Sequence, residues 1–93
     1  MATFIMLSSL TPEGVKTMKE NPGRVAQVNR EVEALGAQVI TQYATLGRYD
    51  FVTVVEAPSE EVMAKVSVEL GSRGTMSSET MAALSSERLE EIL

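Results

Sequence analysis

Three residues able to carry acid–base chemistry lie in the run Leu46–Pro58: Tyr49, Asp50 and Glu56. Tyr49 and Asp50 follow Gly47 at the start of a short β-branched segment, and Glu56 stands at its end. A tyrosine hydroxyl and a carboxylate that line a pocket can donate and accept protons. In the alternative interpretation, Asp50 binds the backbone amides of a tight turn, and Tyr49 covers the edge of the core.

Strand alternation gives Glu56 two further interpretations. It places Glu56 on the same side as alternate apolar residues of its segment. If that side faces the interior of a dimer, the carboxyl lies in apolar surroundings, holds its proton more firmly and suits a general acid or base. Otherwise Glu56 is an exposed acid at the end of a strand, or it pairs with Arg24, Arg48 or Arg73.

Four residues are candidates for binding a ligand: Arg24, Tyr43, Arg48 and Arg73. Arg24 and Arg73 each adjoin a glycine, and a guanidinium can hold a carboxylate through two parallel hydrogen bonds. Surface ion pairs and packing explain the same residues equally well. The chain has no histidine and no cysteine, which argues against the usual zinc sites and excludes haem ligated by histidine. We therefore expect no cofactor and no bound metal ion.

Length and charge limit the class of protein. A chain of 93 residues predicts a single domain with a small core, for which self-association is a common way to add buried surface. The formal net charge is −5 and the eight basic residues are scattered, so we expect binding neither to nucleic acid nor to an anionic membrane. No signal peptide or membrane span is apparent, which predicts a cytoplasmic protein.

The apolar spacing predicts the element order β-α-β-β-α-β followed by a short terminal helix. The first helix begins at a Thr11 cap and is interrupted at residues 21–23, where Asn21 can cap a second helix with Pro22 at its first position. Ser59 caps the later helix, and Ser85 or Ser86 caps the terminal one. The predicted strands cover residues 3–8, 38–46, 51–56 and 75–84, and the predicted helices end at Gly36 and Gly71.

This order predicts a ferredoxin-like α+β fold, in which both helices lie on one face of a four-stranded antiparallel sheet. The strands carry apolar residues on both sides, so the face without helices needs a cover. Because the chain offers no second domain, a second copy is the expected cover.

The chain carries the motifs Leu10-Thr11-Pro12-Glu13-Gly14, Arg24, Gly47-Arg48-Tyr49-Asp50, Val54-Val55-Glu56-Ala57-Pro58, Leu70-Gly71-Ser72-Arg73-Gly74 and Glu79-Thr80-Met81-Ala82-Ala83. Together they resemble the motifs of the GYD-domain proteins, small proteins whose function is largely uncharacterised. The resemblance covers nearly the whole chain. It implies an architecture similar to dimeric α+β barrels, in which two ferredoxin-like subunits pack sheet on sheet.

Three functions stay open at this point. The first is a homo-oligomeric module that binds a small molecule in a cavity between the sheets. The second is a cofactor-independent enzyme, of the oxygenase or isomerase type, that uses Tyr49, Asp50 and Glu56. The third is a structural or protein-interaction subunit in which Leu89, Ile92 and Leu93 dock on a neighbour.

Overall fold

The computed structural model describes residues 1–93 and contains four strands and four helices. None of the helices has the length and hydropathy that crossing a lipid bilayer requires. In chain order the elements are β1 (Ala2–Leu10), α1 (Pro12–Glu20), α2 (Arg24–Ala34), β2 (Gln38–Ala44), β3 (Phe51–Ala57), α3 (Glu60–Gly71), β4 (Met76–Ala83) and α4 (Ser86–Ile92).

The strands form one antiparallel sheet in the order β2-β3-β1-β4. The predicted α+β class and element order are confirmed, and the strand order is consistent with the ferredoxin-like arrangement. β3 is central, as its two apolar sides predicted, and it places Thr53 opposite Met6 and Val52 opposite Leu7 on β1. The predicted last strand is confirmed to within one residue at each end.

The core lies between the sheet and helices α2 and α3. Alternate residues of β1 and β3 point into it, while their neighbours point to the opposite side. Val15 on α1 lies outside this core and is 52% exposed. Nine apolar residues are buried together: Phe4, Met6, Val32, Ala37, Val55, Ala57, Met63, Val66 and Leu70.

Hydroxyl side chains begin three of the four helices. The Thr11 hydroxyl accepts a hydrogen bond from the Gly14 N–H at the start of α1. Ser59 and Ser85 do the same for α3 and α4. Each cap satisfies an N–H group that has no partner inside its helix. Thr11 and Ser59 were predicted from sequence, and Ser85 was one of the two residues predicted for α4.

The predicted start of the second helix was wrong. Asn21 does not cap α2; its backbone N–H donates to the Thr17 carbonyl and ends α1. Asn21 and Pro22 begin a tight turn, in which the Arg24 N–H donates to the Asn21 carbonyl at 3.0 Å. This turn moves the start of α2 to Arg24, and Gly23 is its N-cap.

The second face of the sheet carries apolar residues that the three longer helices do not cover. Its centre is formed by Ile5 and Leu7 of β1 and by Val52 and Val54 of β3, all half-buried. We call this surface the open face. Helix α4 has no buried residue, so its apolar side chains are also free to contact another molecule.

Candidate functional site

Asp50 holds the β2–β3 connection against β1. Its Oδ2 accepts a hydrogen bond from the Leu10 N–H at 2.7 Å. Its own N–H donates to the Ser8 carbonyl at 2.7 Å, and its carbonyl accepts from the Thr45 N–H at 2.8 Å. Gly47 makes the preceding turn with a φ of 114°, in the region that favours glycine. The Asp50 carboxylate thus accepts from a backbone N–H, as in the structural interpretation, but that N–H belongs to β1 and not to the turn itself.

Neither tyrosine lines a cavity of the chain. The Tyr49 hydroxyl donates to Glu79 Oε2 at 3.1 Å in a solvent-exposed bond. The Arg48 guanidinium lies 5.6 Å from the centre of the Tyr49 ring, within the range of a cation–π contact. Tyr43, on edge strand β2, is 65% exposed. The structure therefore gives Tyr43, Arg48 and Tyr49 surface contacts rather than a shared pocket.

Glu56 lies at the far end of β3 from the other two acid–base candidates. It lies six positions after Asp50 along the chain, which corresponds to about 20 Å in extended backbone. It is half-buried on the open face, and it forms no ion pair with any of the three arginines proposed for it. No three acidic side chains come close enough to hold a metal ion together. Tyr49, Asp50 and Glu56 therefore do not form one site within this chain.

Arg24 and Arg73, by contrast, are brought together by Glu31. Arg24 Nη1 lies 3.1 Å from Glu31 Oε1, and Arg73 Nη1 binds the other oxygen of the same carboxylate. Arg73 also reaches Glu69 Oε1 at 3.3 Å. The hydrogen bond from Arg73 holds the pKa of Glu31 below its ordinary value, and the same bond raises the pKa of Arg73.

A cavity of about 140 Å³ lies between the sheet and helices α1 and α2. More than half of its lining residues are hydrophobic, and Arg24 and Arg73 are the charged residues among them. From sequence we expected a ligand cavity between the sheets of two copies. The cavity found within a single chain lies on the opposite, helix-covered side of the sheet.

A chain of polar side chains reaches the floor of this cavity. Asn29 Nδ2 donates to Gln42 Oε1 at 2.8 Å, and Gln42 Nε2 donates to Thr53 Oγ1 at 3.0 Å. Ser8 also lines the cavity and is only 3% exposed. All four residues are uncharged, so they offer hydrogen bonds without a fixed charge.

Sequence reasoning overlooked Glu31, Ser8 and Thr53. A signal for each was present. Glu31 follows Arg24 by seven residues, which is about two helical turns and places both on one helix face. Ser8 continues the alternation of buried β1 residues, and Thr53 shares its phase with buried Val55. No sequence spacing, by contrast, indicates that Arg73 contacts Glu31.

Comparisons with known proteins agree with the sequence resemblance. The sequence model of the GYD domain matches residues 4–93. A relative from Thermus thermophilus, named glutamine synthetase and cystathionine beta-lyase binding protein, is 46% identical over 85 residues, which cover 90% of each chain. The crystal structure of TTHA0845, also from Thermus thermophilus, aligns with 92% of this chain and 96% of its own. The TM-score is 0.58 and the sequence identity is 24%, so the two proteins share a fold. The chain belongs to the GYD domain family.

Proposed function

We propose that this chain is a protein-binding subunit that acts as a homo-oligomer in the cytoplasm and binds metabolic enzymes. The observation that carries the proposal is the 46% identity, over 90% of both chains, to a relative named for binding two enzymes. Glutamine synthetase and cystathionine β-lyase are therefore the first partners to test.

The apolar residues of the open face support the proposal that a second copy of the chain covers it. Four strands about 4.8 Å apart and about seven residues long present roughly 440 Å² on each copy, so a face-to-face pair buries roughly 900 Å². A specific interface generally needs about 1,000 Å². The sheets of two copies packed in the manner of a dimeric α+β barrel come close to this threshold but need a further contribution.

Helix α4 can supply that contribution. Leu89 is 48% exposed, Ile92 is 54% exposed and Leu93 is 96% exposed. These three apolar side chains keep about half or more of their surface exposed in their own subunit, so each would bury further apolar area if it docked on a neighbour. This is the role that the sequence suggested for the terminal residues.

The enzyme hypothesis has no comparable support. Tyr49 and Asp50 lie about 20 Å along the strand from Glu56, and Asp50 is engaged with backbone amides. No arrangement of groups in the chain favours a particular reaction. We therefore propose binding rather than catalysis.

Binding to enzymes is tested with the purified full chain and with glutamine synthetase and cystathionine β-lyase from its own organism. Sedimentation velocity of each mixture should show a complex larger than either component. Bovine serum albumin serves as the unrelated control protein. If neither enzyme changes the sedimentation of the chain at tens of micromolar, the assignment of these partners is wrong.

Self-association is tested separately by light scattering coupled to gel filtration. Removing residues 86–93, or introducing Leu89→Asp together with Ile92→Asp, should lower the measured mass, because the open face alone falls short of a stable interface. Val68→Asp is the matched control, since Val68 is 71% exposed on α3, on the other side of the sheet. An unchanged mass in both α4 variants would exclude this role for the helix.

A further inference from the structure

The charged residues that line the cavity are both basic. Arg24 and Arg73 line it, whereas Glu31 and Glu69, which pair with them, do not, and no other acidic residue does. A molecule inside therefore meets two guanidinium groups and no carboxylate. The planar forks of these two groups suit an anion through directed N–H donors, while Glu31 and Glu69 balance their charge.

Both guanidinium groups retain hydrogen-bond donors. Arg24 gives one N–H to Glu31, and Arg73 gives one each to Glu31 and Glu69. A guanidinium carries more N–H groups than these bonds use, and its planar fork fits a carboxylate. Glu31 holds the two arginines side by side, which reduces the entropy lost when a ligand binds them.

Ser8 provides a second, independent sign of a ligand. Its side chain is almost completely buried, it lines the cavity, and its hydroxyl forms no hydrogen bond within the chain. Every fully enclosed side-chain nitrogen or oxygen in the structure has a partner, so the Ser8 Oγ must face cavity space. Thr53 Oγ1 accepts from Gln42 and keeps its own proton available. Buried hydroxyl groups normally find partners.

We propose that this cavity binds a small organic carboxylate whose carboxylate group lies against Arg24 and Arg73 and whose mostly apolar body fills the space beneath α2. A cavity of about 150 Å³ accepts one benzene ring, and the volume here is about 140 Å³. The body therefore has about six non-hydrogen atoms. An oxygen on it can accept from Ser8 or Thr53. This site is separate from the surfaces assigned above to protein binding.

The test uses benzoate as the probe and benzamide as its uncharged counterpart. Each is titrated into the ¹⁵N-labelled full chain, and backbone amide shifts are followed by NMR. Benzoate should produce saturable shifts around Ser8, Val28 and Thr53, while benzamide should bind at least about tenfold more weakly, because it cannot form a charged pair with the arginines. Equal binding of the two probes would overturn the proposal, as would shifts confined to the outer surface.

Matched variants locate the carboxylate. Arg24→Gln and Arg73→Gln should each raise the dissociation constant of benzoate about tenfold or more. Arg30→Gln removes the same charge from an exposed, unpaired position on α2, and its effect should stay below about twofold. If Arg30→Gln weakened benzoate binding as much as Arg24→Gln does, the binding would reflect only the overall charge of the protein, and the proposed site would be wrong.

A cavity-filling variant tests the place of the apolar body. Val28 lines the cavity and is only partly buried, so Val28→Phe should occupy the space and abolish benzoate shifts. The NMR spectrum of the variant itself reports whether it is folded. If folded Val28→Phe binds benzoate as tightly as the wild type does, the ligand lies elsewhere; if it is unfolded, the arginine variants decide the question.

Discussion

Gly14 is the position at which α1 meets the loop before β4 most closely. A Cβ atom built on Gly14 would lie 2.0 Å from the backbone oxygen of Thr75. The same loop also receives two hydrogen bonds from Thr11: its N–H donates to the Thr75 carbonyl at 3.0 Å, and its hydroxyl donates to the Gly74 carbonyl at 2.9 Å. Replacing Gly14 with alanine must therefore separate α1 from this loop.

The size of the effect follows from the distances. Ordinary contact for a Cβ begins near 3.4 Å, so the Thr75 oxygen must move by about 1.4 Å from its 2.0 Å position. Overpacking of this kind costs about 1–3 kcal/mol, and weakening the two Thr11 bonds adds about 1 kcal/mol each. The better helix propensity of alanine returns about 1 kcal/mol. We expect Gly14→Ala to lower the free energy of unfolding by about 2–4 kcal/mol.

Thermal and urea unfolding followed by circular dichroism measure this change. For a domain of this size, the expected loss corresponds to a fall in Tm of roughly 10–30 °C. Gly71→Ala is the control, because a Cβ there meets nothing within 4 Å and the residue ends helix α3; it should be neutral or more stable by about 0.5–1 kcal/mol. If the Gly14→Ala protein had the same Tm as the wild type, the close approach of α1 and the loop would be refuted.

Two further changes test the polar contacts. Because Arg73 lowers the folded-state pKa of Glu31, the pair stabilises the fold above the unfolded-state pKa, and this contribution is lost as the pH falls through the folded value. The stability difference between wild type and Glu31→Gln in urea unfolding should thus be largest near pH 7 and shrink below about pH 4; a difference that is constant with pH would contradict the ion pair. Asp50→Ala should lower the free energy of unfolding by about 1–3 kcal/mol, because it leaves the Leu10 N–H without its acceptor. Asp50→Asn should cost less because an amide oxygen still accepts, and unchanged stability in the alanine variant would show that the bond contributes nothing.

Local patterns were sufficient to predict most of the elements. A short apolar run predicted β1, and apolar residues on both sides predicted the central position of β3. Hydroxyl caps predicted the starts of α1 and α3 and, with Ser86 as the alternative to Ser85, the start of α4. Asn21 failed as a cap because asparagine favours turns as well as helix starts. Which of the two it adopts depends on how α1 and α2 are connected in three dimensions.

The site was harder to predict because its parts meet only through packing. Arg73 follows α3, whereas Arg24 and Glu31 lie on α2, and no sequence spacing relates the two elements. The cavity is the space left between α2 and the sheet, so it depends on the position of a helix rather than on any one residue. Glu56 shows the reverse case: its side of the strand was predicted from alternation, yet its chemical environment depends on whether a second copy covers that side.

The two sides of β1 and β3 give the chain two independent surfaces. Ser8 and Thr53 point into the cavity, while their neighbours Leu7 and Val52 lie on the open face. Since successive side chains of a strand point to opposite sides, a carboxylate in the cavity and a second copy on the open face would touch adjacent residues without competing for the same surface. The apolar residues on the two sides of these strands therefore have different roles in this chain. One side builds the core and its cavity, and the other remains available for assembly.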